Sequence, residues 1–285
     1  MHDTLYNSKD QQRLRAVPRD LIRARELLRD LVWKDVRVRY RYAAVGFLWA
    51  VLQPVVLMLV LTFVFSFVLR DKAAMAGGDA TAPFAVMLLC GLIFWQCFSE
   101  GVNAATQSII DNQQLVKKVR FPREIVPLAA TGYPVVNLGI GFVVLLLLHL
   151  ALGGPLHTTL LLVPFVFLIQ YAIMAGLGLL LAAGNAHFRD IGYITNVALL
   201  FGFYASPVFY PLALVTHSTA LPDWAKTLYA MNPMAGLLTA YRALILEGQI
   251  PAAALLLWPV LLAIVLLLAG ATVFRRLSPT LSDRL

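Results

Sequence analysis

Charge is scarce in this sequence. Asp, Glu, Lys and Arg together make up 13% of the 285 residues, about half of the ~25% found in a typical soluble domain. Hydrophobic residues take up 60%, and a chain this apolar would expose more hydrophobic surface than water tolerates. A soluble globular fold is therefore excluded, and lipid is the natural solvent. Cysteine is nearly absent too. Cys90 and Cys97 lie in one apolar run, roughly 10 Å apart along a helix, too far for a disulfide within the segment. Neither belongs to a C-x-x-C pair, which argues against a metal or redox motif.

Motifs that carry chemistry are missing as well. The sequence contains no G-x-x-x-x-G-K-[ST], no H-E-x-x-H and no G-x-S-x-G, so neither ATP binding through a P-loop nor those hydrolase sites are expected. The five histidines, His2, His149, His157, His187 and His217, are scattered, without a second ligand at helical spacing. The net charge of +8 does not indicate nucleic acid, because no basic stripe is interleaved with stacking aromatics. The charged first 46 residues, lacking an early apolar core, do not read as a cleavable signal peptide. No internal repeat or low-complexity tract is present.

What is present is a series of apolar runs near the ~20 residues that a spanning helix needs. Six qualify: 47–69, 82–110, 125–149, 158–183, 191–213 and 252–274. With the N-terminus inside, 19 of the 23 Lys and Arg residues fall in the inner loops and termini. The outer loops hold only Arg70, Lys72, Lys226 and Arg242. The positive-inside rule then places both termini in the cytoplasm. Segment 214–251 is apolar in parts but broken by Asn232-Pro233 and Gly236. It reads as a re-entrant helical hairpin, since broken backbone at membrane depth needs protein or a watery cavity around it. A seventh span would instead put Arg275, Arg276 and Arg284 on the wrong side. The expected class is an all-α integral membrane protein. It comprises a cytoplasmic arm (1–46), a six-span domain (47–275) and a short tail (276–285).

Residues 19–41 have amphipathic periodicity. Arg19, Arg23, Lys34, Arg37 and Arg41 share one arc; Leu21, Ala24, Leu27, Leu28, Leu31, Val32 and Val38 occupy the other side, with Asp35 intruding. Such a helix can lie along the membrane surface, as a topology anchor or as a docking platform. The inner loop 111–124 mixes the amides Asn112, Gln113 and Gln114, the cations Lys117 and Lys118, and the apolar Leu115, Val116, Val119 and Phe121. A short helix here would suit a groove on a partner, with Pro122 ending it. In the second run, Glu100 is the costly charge, and Asn103 and Gln107 continue its face. This stripe suits a pore lining or an interhelical hydrogen-bonding seam. Phe63 and Phe67 share a face of the first run, Trp95 and Phe98 lie on the second, and Phe203, Tyr204, Phe209 and Tyr210 end the fifth. These rings suit a sliding sugar chain or a lipid-facing aromatic belt.

Five motifs, in order, resemble the ABC-2 type permeases that export polysaccharides. They are Leu31–Tyr40 with Gly46–Pro54, Leu115–Glu124, Phe188-Arg189-Asp190, Ser206-Pro207-Val208-Phe209-Tyr210-Pro211 and Asn232-Pro233-Met234-Ala235-Gly236-Leu237. The resemblance runs from about residue 20 to residue 275. It implies a homodimeric transport subunit of the bacterial inner membrane that pairs with two copies of a separate ABC ATPase. It also implies that ATP and Mg are held by that partner and that this chain binds no cofactor. Arg19, Arg23, Lys34 and Arg37, with Asn112, Gln113, Gln114, Leu115, Lys117 and Lys118, would couple to the ATPase. Phe63, Phe67, Trp95, Glu100, Tyr204 and Tyr210 would line the translocation path. Trp224, Tyr229, Asn232 and Pro233 would form a periplasmic gate. The implied substrate is an undecaprenyl-linked polysaccharide such as O-antigen; capsule, teichoic acid or a small lipid or drug are the alternatives.

Overall fold

A computed structural model describes residues 25–40, 48–64, 84–119, 121–219 and 221–280. Arg19, Arg23, Arg41 and Phe67 lie outside the described residues. The chain is helical, with no strand among the described residues. The helices are α1 (Arg25–Tyr40), α2 (Trp49–Phe63), α3 (Phe84–Asp111), α4 (Gln113–Lys118), α5 (Ile125–Ala130) and α6 (Gly132–Ala151). They continue as α7 (Val163–His187), α8 (Asp190–Tyr204), α9 (Ala213–Thr216), α10 (Asp223–Ala230), α11 (Pro233–Arg242) and α12 (Ala253–Leu277).

Four helical stretches are long and apolar enough to cross a bilayer: Phe84–Asp111, Ile125–Ala151, Thr158–His187 and Ala253–Leu277. They match the second, third, fourth and sixth apolar runs to within a few residues. The fifth run does not stay helical to residue 213. Helix α8 stops at Tyr204 after 15 residues, about 22 Å of helix, because Pro207 and Pro211 cannot continue the backbone ladder. Helix α2 carries Pro54 in its second turn, where the missing N–H forfeits one backbone bond, a loss that membrane helices tolerate.

Helix α3 is the hub. It packs against α2, α5, α6, α7, α8 and α11, and 72% of its most apolar window is buried, against 17% for α12. An apolar helix buried all round belongs to the centre of a bundle; one buried along a narrow strip faces lipid. The main core joins Leu89, Phe94, Val102, Ile173, Met174, Leu237 and Tyr241. Helices α7 and α12 approach backbone to backbone. A Cβ on Gly270 would stand 2.4 Å from the Gly176 carbonyl oxygen, and one on Gly176 would stand 2.5 Å from the Leu266 carbonyl carbon. Small residues at helix crossings permit this approach, which supplies dispersion where lipid offers no hydrophobic drive.

The two ends of the bundle differ. One, here the basic end, carries α1, α4 and the α7–α8 turn. The other, the hairpin end, carries α9, α10 and α11.

Candidate functional site

At the basic end, α1 has Glu26 in its first turn and Arg37 and Arg39 in its last, complementing the helix dipole. Much of its apolar side packs inward on the bundle. Leu27, Leu28, Leu31 and Val32 pack on Ile125, Ala129 and Leu115. Gly132 leaves room for this, since a Cβ there would come 2.5 Å from a Val32 methyl. Val36 is buried as well, whereas Val38, expected on the apolar side, is 66% exposed. A 16-residue helix gains more by packing its stripe on a protein corner than a periodicity argument can reveal.

The 111–124 segment folds as expected into a short helix. Asn112 precedes α4, and its side-chain Nδ2 donates to the Ser108 carbonyl (2.8 Å). Val116 is buried among Ile109, Val126, Leu179 and Phe274, so this residue anchors α4 to its own bundle. Leu115 is half-buried against α1 and α5. Gln113, Gln114, Lys117 and Lys118 face outward. The Lys34 ammonium donates to Asn112 Oδ1 at 2.6 Å and lies 3.3 Å from the Asp35 carboxylate, joining α1 to α4; Arg37 is exposed beside it. The third span is held at its start by a Glu124–Arg275 ion pair at 3.5 Å and by Arg123 donating to the Ser278 carbonyl.

The residues expected along one path fall into separate places. Trp95 is buried in the core, 6% exposed, against Phe98 and Phe203. It is a packing residue within this chain. Phe63 and Tyr204 are 59% and 62% exposed on α2 and α8. From Trp95 the rings of Phe203, Phe209, Tyr204, Tyr210 and Tyr229 follow in continuous contact, with centroids 5.2–6.5 Å apart. This chain of rings ties expected path residues to an expected gate residue.

Glu100 lies elsewhere, accepting from Gln96 Nε2 at 2.9 Å. Below it the polar stripe becomes a seam. Asn103 donates to Asn196 Oδ1 (2.5 Å), and Asn185 donates to Gln107 Oε1 (3.1 Å) and to the Thr106 carbonyl (3.0 Å). Asn185 Oδ1 accepts from the Gly192 N–H (2.9 Å). Amides thus bind α8 to α3 and α7. Between α1, α3, α6 and α8 lies a cleft of about 800 Å³ whose polar wall includes Glu100, Asn103 and Asn196.

At the hairpin end, Asn232 caps α11 by accepting from the Met234 N–H (3.0 Å); Pro233 takes the first helical position, where a missing N–H costs nothing. Asn232 Nδ2 donates to the Ala205 carbonyl and to Ser206 Oγ, both at 2.9 Å. Tyr229 donates to the Tyr210 hydroxyl at 3.0 Å. Burial and this contact push the Tyr229 phenol above its usual pKa, so it stays protonated as a donor. Trp224 is 70% exposed on α10.

Sequence reasoning missed the residues that hold this end. Arg242, counted above as an outer-loop charge, is buried and donates from Nη1 to the Tyr210 carbonyl (2.9 Å) and from Nη2 to the Val208 carbonyl (2.6 Å). A Cβ on Gly91 would collide with both Val208 and Arg242. Tyr241 stacks on Phe94 with centroids 3.6 Å apart and donates to Gln170 Oε1 (2.9 Å). Gln170 in turn donates to the Phe94 carbonyl (3.0 Å). The usable signal was a charge and an amide inside apolar helical runs, which lipid penalises unless partnered.

The fold is that of a multi-pass helical membrane domain, with a capped hairpin at one end and a basic two-helix platform at the other. Residues 26–246 match the ABC-2 type transporter family. The chain belongs to that family. It is 33% identical over 256 residues to the O-antigen export system permease protein RfbA of Myxococcus xanthus, covering 90% of this chain and 94% of that protein. The corresponding RfbA of Klebsiella pneumoniae is 26% identical over 230 residues, 79% of this chain and 82% of that protein. The polysialic acid transport protein KpsM of Escherichia coli is 24% identical over 247 residues, 86% and 91% of the two chains.

Proposed function

We propose that this chain is the membrane subunit of an ABC exporter that moves a lipid-linked polysaccharide of the O-antigen type across the bacterial inner membrane. The substrate class rests on the 33% identity, along nearly the whole chain, to a protein named for O-antigen export. The KpsM likeness makes a capsular polysaccharide the second reading.

The observation that carries the mechanism is the joined platform at the basic end. Two elements with outward polar residues, α1 and α4, are held together by Lys34 and Asn112 and seated on the third span through Leu31 and Val116. A rigid platform of this kind passes a push from a bound ATPase to α3 and α5, where a floppy loop would absorb it. Two ATPase copies, carrying ATP and Mg, would sit on the platforms of a homodimer. On this reading the basic end and both termini face the cytoplasm, in keeping with the positive-inside rule. The four long apolar helices with α2 and α8 then make six crossings, and α10–α11 form a re-entrant gate on the periplasmic side. The exposed faces of α2 (Val56, Val60, Phe63) and α8 (Val197, Phe201, Tyr204) suit the contact between copies and the channel beside it.

Deleting the gene in its own bacterium tests the reading. Lipid-linked polysaccharide should accumulate inside the cell and vanish from the surface, and the wild-type chain should restore it. Unchanged surface polysaccharide would overturn the reading.

A further inference from the structure

The cleft between α1, α3, α6 and α8 has a volume of about 800 Å³, within the range of roughly 300–1,000 Å³ typical of ligand sites. Its wall is unusual for a membrane protein. Helix α3 contributes Glu100, Asn103, Gln107 and Asp111, and α8 contributes Asn196. These groups supply many acceptors and several amide donors, the inventory that pairs with hydroxyl groups.

The charges argue against an anion. Three carboxylates, Asp35, Glu100 and Asp111, face two cations, Lys34 and Arg39. Lys34 is already paired with Asp35 and Asn112, and the Arg39 guanidinium lies 4.4 Å over the Tyr133 ring. Diphosphate recognition calls for charge-assisted donors converging on its oxygens, and the wall offers an excess of carboxylate instead.

Resting on the polysaccharide-export reading, we propose that this cleft is a vestibule that binds uncharged sugar units of the glycan through hydrogen bonds and does not hold the diphosphate of its lipid carrier. Asn103 and Asn196 are the central contacts. Their mutual bond at 2.5 Å engages the amide nitrogen of Asn103 and the oxygen of Asn196, leaving Asn103 Oδ1 to accept from, and Asn196 Nδ2 to donate to, sugar hydroxyls. Glu100 accepts from a hydroxyl with its second oxygen while Gln96 holds the first. Because Lys34 and Asp35 of α1 form the opposite wall, the vestibule lies directly against the platform that we assign to the ATPase.

The test uses the purified permease–ATPase complex and the source bacterium's own polysaccharide, released from lipid by mild acid and fluorescently labelled. Binding is read by polarisation, with inorganic pyrophosphate as competitor. The wild-type complex should bind the glycan, and millimolar pyrophosphate should leave it bound. Asn103→Leu should weaken binding about tenfold, the loss of one or two hydrogen bonds. Glu100→Gln keeps the shape and should weaken it a few-fold, so it reads on the proposal even where Asn103→Leu fails to assemble. Equal binding by wild type and Glu100→Gln, displacement by pyrophosphate, or no binding by wild type would overturn the vestibule. Those results with polysaccharide still trapped inside the deletion strain leave the export reading standing; surface polysaccharide in that strain removes the export reading itself.

Discussion

The ammonium of Lys34 on α1 donates to the side-chain oxygen of Asn112 at 2.6 Å, across 78 residues of sequence. It is the polar link between the N-terminal helix and the short helix α4, two elements whose outward faces are otherwise built separately. The bond lies at an exposed edge, where a charged pair adds little to stability. Its value is geometric.

Lys34→Ala should therefore lower export and substrate-linked ATP hydrolysis several-fold while changing stability by no more than about 1 kcal/mol. Asn112→Ala should behave alike, and the double variant should be no worse than either alone, as expected for one shared contact. Additive losses in the ATPase assay would show that the two residues act independently.

Arg242 should be the most sensitive charge in the chain. Its guanidinium holds two carbonyls of the Val208–Tyr210 segment from a buried position, and truncation leaves both without their donor. Arg242→Ala should cost about 3 kcal/mol or more, seen as a large drop in thermal stability in detergent. Arg242→Lys cannot reproduce the fork and should recover part of that loss. Wild-type stability in either variant would contradict the assignment.

The α7–α12 crossing predicts a steric penalty. Gly176→Leu drives a side chain into the α12 backbone, and overpacking of this kind costs about 1–3 kcal/mol. Gly139 has open space around its Cβ position, so Gly139→Ala is the control and should be close to neutral in the same melting experiment.

Tyr229 gives a pH signature. Its folded pKa is raised, so the folded state keeps a proton that the unfolded state releases above about 10. The contribution is intact below that pH and is lost as pH rises toward the folded value. Tyr229→Phe should lose less stability than wild type between about pH 9.5 and 11. Parallel alkaline melting curves would mean that the phenol is solvated and the Tyr210 contact is not formed.

Much of the architecture was legible because it is local. Apolar length gave α3, α7 and α12 to within a few residues. The mixture of Gln113, Gln114, Lys117 and Lys118 with Leu115 and Val116 gave the short helix α4, but not that Leu115 and Val116 turn toward this chain's own bundle. The prolines at 207 and 211 were visible, yet the run 191–213 was read through them, since hydropathy averages over a backbone break. What could not be read was pairing at a distance. Arg242 with Val208, Asn103 with Asn196 and Gln170 with Tyr241 are 34, 93 and 71 residues apart, and a window of 20 residues contains none of them. The surroundings of Trp95 were hidden for the same reason: a ring on a helix faces lumen, lipid or core according to its neighbours, and Gly202, with a Cβ position 2.9 Å from the indole, is on another helix.

The central claim is that α1 and α4 form a seat for an ABC ATPase, and co-purification tests it most directly. The chain, extracted from native membranes in mild detergent, should bring down an ABC-type ATPase at one-to-one stoichiometry. Reversing charge at Lys117 and Lys118 should release most of that ATPase while the permease stays folded. A folded wild-type chain that elutes without an ATPase, or a charge-reversed chain that retains it fully, would contradict the account.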